Sequence, residues 1–147
     1  MVLLIDTNVL LDVLQEREPY FANSLKIWGL CEDRYIEDKY IYVKGYISSV
    51  SMTNISYVMR KQLTPDRTME IFMALALAFE FVDLQMTDLE TAADMKWRDF
   101  EDAVQSATAS RIHADYIITR NTKDYQDSPI PAITPEEYFM NVFDPEQ

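Results

Sequence analysis

At 147 residues, with 48% apolar side chains, the chain fits one domain that can bury a full core without disulfides. Its one cysteine, Cys31, excludes an internal disulfide, and no apolar run approaches the roughly 20 residues needed to span a bilayer. A net charge of −12 excludes a surface that draws nucleic acid by its own basicity; it favours a basic protein partner, or plain solubility.

The first residues, Met1 to Asp6, lack the basic start and small-residue cleavage site of a signal peptide. A reducing, cytoplasmic location without membrane attachment is therefore expected. Only two glycines occur, Gly29 and Gly45, so no glycine-rich loop is present to cradle a phosphate. Val2 to Asp6 is a short apolar run ending in a charge, which suits a buried strand. Thr7 or Asn8 can then cap a helix carrying Val9, Leu10, Val13 and Leu14. Tyr20 to Cys31 reads as a second helix, and the polar stretch Glu32 to Lys44 as an irregular excursion. A short strand over Gly45 to Ser48 precedes a helix from about Ser51 to Leu63. Thr64 and Pro65 start the next helix, with Thr at the cap and Pro in the first turn. Phe79 to Leu84 reads as a strand, followed by a helix opened by a capping box of Thr87 and Glu90. Asp99 begins a helix through about His113, and Tyr116 to Thr119 forms a strand. Ala132-Ile133 makes a last short strand, before a C-terminal helix capped by Thr134, Pro135 and Glu137. There is no repeat or linker, so residues 1–147 form one domain. Strands separated by helices predict an α/β fold, with a mostly parallel central sheet flanked by helices on both faces.

In such sheets, sites form at the carboxyl ends of the strands. The first strand ends in Asp6, and the Tyr116 strand runs into Thr119, Arg120 and Asn121, with Asp124 three residues on. Asp99 and Asp102 share one face of the helix between them. Asp6, Asp99, Asp102 and Asn121 or Asp124 are thus expected to converge at one edge. Carboxylates crowded in a cleft repel one another unless a cation lies between them. Mg²⁺ or Mn²⁺ suits such oxygen ligands and supports phosphodiester cleavage, alone or as a pair about 3.5–4 Å apart. Taken singly, Asp99 also reads as a helix cap, Asp102 as a first-turn acid and Asp124 as a turn residue. An acid ending a buried apolar strand, as Asp6 does, is costly without a partner.

The segment Leu4-Ile5-Asp6-Thr7-Asn8-Val9-Leu10-Leu11-Asp12 resembles the opening motif of PIN domains. Asp99-Phe100-Glu101-Asp102-Ala103-Val104-Gln105, with Ala107 and Ala109, resembles their central acidic helix. Ile117 to Tyr125 resembles their third motif, and the likeness runs to the Ile133–Glu137 tail. The resemblance implies a PIN-like fold and a metal-dependent ribonuclease, commonly the toxin of a VapC-type toxin–antitoxin pair. It implies Asp6 and Asp102 as metal ligands and Asp99 as support. It puts Asn121 or Asp124 at the fourth corner, Asn121 as a ligand and Asp124 among the catalytic acids. It also implies a homodimer.

One departure matters. The family usually carries a Glu near the start of the helix after the second strand, and here Asn54 stands in its place. A neutral oxygen holds metal less tightly, as Asn121 does in place of an acid, so reduced activity is expected. Asn8, Lys61, Arg120 and Lys123 are the assigned substrate contacts, with Arg60 a further candidate for RNA phosphate. Each basic residue also reads as ordinary solvated surface charge. His113, the one histidine, is given no metal role. Met69, Phe72, Met73 and Phe79 fall at helical spacing and suit core or dimer surface. The rival to the nuclease is a catalytically weak PIN-like module that binds RNA or a protein. A phosphoryl-transfer enzyme ranks below both, because Asn8 stands where that class carries a second Asp.

Overall fold

The computed structural model describes residues 1–32 and 43–144, and between them the backbone of two short strands. Five strands form a wholly parallel sheet in the order β5-β4-β1-β6-β7. They are β1 (Val2–Ile5), β4 (Lys44–Ser48), β5 (Glu80–Val82), β6 (Tyr116–Ile118) and β7 (Ala132–Ile133). The helices are α1 (Thr7–Leu14), α2 (Phe21–Glu32), α3 (Ser49–Val58), α4 (Pro65–Ala78), α5 (Met86–Met95), α6 (Phe100–Arg111) and α7 (Pro135–Asn141). Within the Glu32 to Lys44 excursion, residues 33–34, 37–38 and 41–42 lie outside the described residues. Within it, β2 (Tyr35–Ile36) and β3 (Lys39–Tyr40) pair antiparallel, so it is not wholly irregular.

The apolar run of β1 is continuous because both faces of the sheet are covered. Leu3 and Ile5 enter one core with Val9, Ile27, Ile55 and Leu75 from α1 to α4. Leu4, between them, enters the opposite core with Ala109 and Tyr125. A Cβ at Gly45 would stand 2.5 Å from Cys31 Sγ, so glycine lets β4 lie close under α2. Burial pushes the Cys31 thiol up to about 12, which leaves it protonated at neutral pH.

Three boundaries differ from the sequence expectation. Asp6 caps α1, its side chain accepting from the Thr7 N–H, so Thr7 and Asn8 already lie inside the helix. The helix expected to reach Leu63 ends at Val58, and a turn through Met59 to Leu63 hands over to Thr64, the cap of α4. Pro65 disfavours helical backbone at the residue before it, so the two helices cannot merge. The box opening α5 is Gln85 with Asp88, where Thr87 and Glu90 were expected. Asp88 is buried and takes two bonds from Arg111 on α6 (2.8 and 2.9 Å), a tie that Glu90 does not make. The expected cap of α7 is present, with Thr134 and Glu137 bonded reciprocally. No described helix is long and apolar enough to cross a membrane.

The chain builds the sheet outward from β1 through β4 to β5, then returns to the other side of β1 for β6 and β7. The order therefore reverses between β1 and β6, where two neighbouring strands send their connections to opposite faces and leave a crevice. The Asp6 N–H donates to the Ile118 carbonyl (2.9 Å) and pins the first acid to that crevice.

Candidate active site

A cleft of about 360 Å³ opens there, and Asp6, Asp99, Glu101, Asp102 and Asp124 line it with Asn8, Asn54 and Asn121. The convergence expected from the strand ends is present. Asp6 is 5% exposed and has five donors around it. It accepts from the Thr7 N–H (2.7 Å), Thr119 Oγ1 (2.8 Å), Asn8 Nδ2 (3.2 Å), Tyr125 Oη (3.3 Å) and Gln105 Nε2 (3.5 Å). Burial raises its pKa, and these donors pull it back only in part. Asn8 acts as a clamp: its amide also reaches Thr119 Oγ1, and its oxygen accepts from the Arg120 N–H.

Asp102 faces Asp6 across the Tyr125 hydroxyl, which lies 3.1 Å from Asp102 Oδ1. Burial, then the charges of Asp6 and Asp99, push Asp102 up to about 7. The same three causes raise Glu101. Asp99 caps α6 by accepting from the Glu101 and Asp102 N–H groups (3.0 and 3.2 Å), so it fixes the turn that presents both acids. Asn121 opens a 3₁₀ turn, Thr122–Tyr125, whose first bond runs from the Asp124 N–H to the Asn121 carbonyl. That turn brings Asp124 to the cleft and Tyr125 beneath it.

Asn54 has a defined role. Its amide donates to Glu101 Oε1, so the position expected to be acidic instead holds an acid from α6. The sequence reading passed over Glu101, although it stands inside the quoted acidic motif. It also missed Tyr125, whose signal was its place four residues after Asn121. Of the assigned substrate contacts, Asn8 lines the cleft and Lys123 an adjoining groove. Arg120 is turned away: it pairs with the buried Asp12 at 3.0 Å and stacks over Tyr20 at 4.3 Å. Lys61 follows the end of α3 and is exposed, outside the cleft, and Arg60 stacks on Tyr57 at 4.3 Å. His113 is exposed in the turn after α6, also outside the cleft.

The donor set suits a hard divalent cation. All the ligating atoms on offer are oxygens, and two carboxylates already face one another through a single hydroxyl. Among the described residues, no three His, Cys, Asp or Glu side chains stand as a ready-made cage. Mg²⁺ does not need one: it keeps several waters and uses one or two carboxylates together with substrate phosphates. The residues present therefore fit the group.

The chain belongs to the PIN-domain family, whose model matches residues 2–123. Comparison with curated protein sequences finds no match. Among solved structures, it is similar to a toxin–antitoxin complex from Klebsiella pneumoniae, with a TM-score of 0.66 and 22% identity over 90% of this chain and 96% of that one. It is similar to VapBC2 from Rickettsia felis bound to a promoter DNA fragment, with a TM-score of 0.65 and 13% identity over 91% and 98% of the two chains. The Mycobacterium tuberculosis toxin VapC20, described as cleaving the sarcin-ricin loop, aligns with a TM-score of 0.60 and 9% identity over 78% of this chain and 86% of its own.

Proposed function

We propose that the protein is a divalent-metal-dependent endoribonuclease and the toxin of a toxin–antitoxin pair. The observation that carries this is the Asp6–Tyr125–Asp102 bridge, two partly desolvated carboxylates held apart by one hydroxyl in a cleft lined by three further acids. Burial and the like charges of Asp6 and Asp99 discourage Asp102 from ionising, and a cation in the cleft would relieve both. Asp6, Asp102 and the Asn121 side-chain oxygen would hold Mg²⁺ or Mn²⁺. Bound there, the ion supplies charge stabilisation and an acidified water for phosphodiester hydrolysis.

The chain's own residues do the rest. Asn8 and Thr119 orient Asp6, and Asp99 sets the pitch of the turn carrying Glu101 and Asp102. Asp124, exposed at the edge of the cleft, would take a proton from an attacking water. A basic antitoxin is the partner that a chain of net charge −12 suits. The exposed stripe Met69, Phe72, Met73 and Leu77 on α4 is the surface for a homodimer. The neighbouring toxin–antitoxin structures support the antitoxin partner by fold alone.

The test is cleavage of a mixed RNA pool with Mn²⁺, Mg²⁺ or chelator, comparing wild type with Asp6→Asn. Cleavage that needs both metal and Asp6 is expected. Absence of cleavage by folded wild type under every metal favours the second reading, a PIN-like module that binds RNA or protein. The neutral side chain at Asn54 is the observation behind that alternative.

A further inference from the structure

Beside the acidic cleft lies a larger groove of about 950 Å³, and the two share Asp99 and Asp124 as a common wall. Lys96, Trp97 and Arg98 line it from the segment between α5 and α6, and Lys123 faces them from the 3₁₀ turn. Three cations in one groove are unusual for a chain that carries 13 Lys and Arg against 25 Asp and Glu. Most described cations elsewhere are engaged, Lys44, Arg67, Arg111 and Arg120 in ion pairs and Lys26 and Arg60 over aromatic rings. Arg17 and Lys61 stand apart from one another in sequence and outside both grooves. Among the described residues, neither Lys96, Arg98 nor Lys123 is held in an ion pair. Asp99, Asp124 and Asp127, the acids of the groove, form no ion pair with any of the three.

Trp97 is half-buried and packs edge-on against Tyr125, with ring centroids 6.1 Å apart at 84°. The tyrosine whose hydroxyl bridges Asp6 and Asp102 thus also seats the tryptophan of the neighbouring groove. Lys96 adopts a left-handed backbone (φ 56°) that ends α5 and turns the chain into this wall.

We propose that this groove seats the single-stranded RNA next to the scissile phosphate. Lys96, Arg98 and Lys123 hold its backbone, and Trp97 stacks a base. This deepens the nuclease reading and rests on it for the position of the cleavage point. Spaced cations with one partly exposed indole suit a strand whose bases are splayed, since a duplex offers no free base face to stack.

Binding of a short fluorescein-labelled single-stranded RNA is measured in chelator at several salt concentrations, so that the readout does not depend on cleavage. The proteins are wild type, Lys96→Gln/Arg98→Gln/Lys123→Gln, and Trp97→Phe, each checked by thermal melting. The triple variant is expected to bind at least about tenfold more weakly, and its log–log salt slope to flatten by about 2, at roughly 0.7 per lost contact. Trp28, the other tryptophan, is buried against Phe79, so RNA-induced quenching reports Trp97 and should vanish in Trp97→Phe. The proposal is overturned by undetectable wild-type binding or by wild-type affinity in the folded triple variant. Displacement of RNA by polyglutamate at equal charge overturns it too, since that would mark a protein-binding or generic anion patch. RNA bound through the groove but never cut with Mn²⁺ leaves the groove standing and removes the nuclease. Cleavage by wild type alongside unaltered binding by the triple variant does the reverse.

Discussion

The hydroxyl of Tyr125 stands 3.1 Å from Asp102, and its second contact, at 3.3 Å, is Asp6. One proton is shared between two acids that burial already discourages from ionising. Tyr125→Phe keeps the ring against Trp97 and deletes only this hydroxyl. Because that hydrogen bond lowers the Asp102 pKa, its loss should move the acid limb of the metal-dependent cleavage profile to higher pH. Stability should fall by about 1–3 kcal/mol, the range for a buried acceptor that loses its donor. A pH–rate profile beside a denaturant titration checks both, and an unmoved acid limb counts against the bridge.

Metal-free stability should decline with rising pH. Asp102 has its folded pKa raised from 3.8 to about 7, so the folded state binds more proton than the unfolded chain between those values. The stabilisation is complete below 3.8 and is lost as pH climbs through 7. Asp6 and Glu101 are shifted in the same direction and steepen the trend. Asp88, shifted down by Arg111, acts only at the acid end. Thermal melts from pH 4 to pH 8 should therefore show a falling Tm that saturating Mn²⁺ abolishes and Asp102→Asn flattens. A Tm that rises across that window in chelator would contradict the assignment.

Asn54, standing where the resemblance implies a Glu, donates to Glu101. Glu101→Gln should weaken Mn²⁺ binding by roughly tenfold, as loss of a ligand or of its close support does. The exchange Asn54→Glu/Glu101→Gln returns the carboxylate to α3 and should recover most of that affinity. Calorimetric titration with Mn²⁺ separates the cases. If the double variant binds no better than Glu101→Gln, the two positions are not equivalent.

The sheet and the acid cluster were legible in the sequence for the same reason. Val2 to Ile5 and Tyr116 to Ile118 are apolar throughout, so they must be buried strands, and a parallel sheet puts Asp6 and Asn121 at one edge. Local chemistry also revealed the caps Thr64, Asp99 and Thr134. The role of Arg120 was not legible, because a cation beside an acidic motif looks the same whether it meets phosphate or a buried Asp12. Only the placement of α1 beside the segment after β6, where Asn8 and Asp12 meet Arg120, decides between them. The α5 cap failed for a related reason: Thr87 with Glu90 has ideal spacing, but Asp88 is recruited by Arg111, 23 residues away.

Arg120 should behave as a structural residue. Asp12 is fully buried, and Arg120 is its ion partner at 3.0 Å, with Ser24 donating to the same oxygen, Oδ2. Removing one partner of a buried pair leaves an uncompensated charge, at a cost of about 3–5 kcal/mol, and the partial exposure of Arg120 puts the figure at the lower end. Arg120→Met should therefore lower stability by about 3 kcal/mol, while a protein still folded at low temperature keeps its RNA affinity. A denaturant titration paired with RNA binding decides it: full stability with weakened binding would return Arg120 to the substrate contacts.

The α4 stripe leads to a prediction about assembly. Met69, Met73 and Leu77 are 60%, 59% and 74% exposed, and Phe72 adjoins them while packing on Phe81 at 5.4 Å. Apolar side chains at i, i+4 and i+8 on an otherwise amphipathic helix lose water only against another surface. Met73→Asp adds a charge in the middle of that surface without touching the core, since Ile71 and Leu75 on the buried face of α4 are unaltered. The variant should sediment as a monomer where wild type sediments as a dimer, with a change in stability measured at high dilution of less than about 0.5 kcal/mol. Wild type that remains monomeric at high concentration would instead leave the stripe to the antitoxin, and Met73→Asp should then abolish co-purification of the pair.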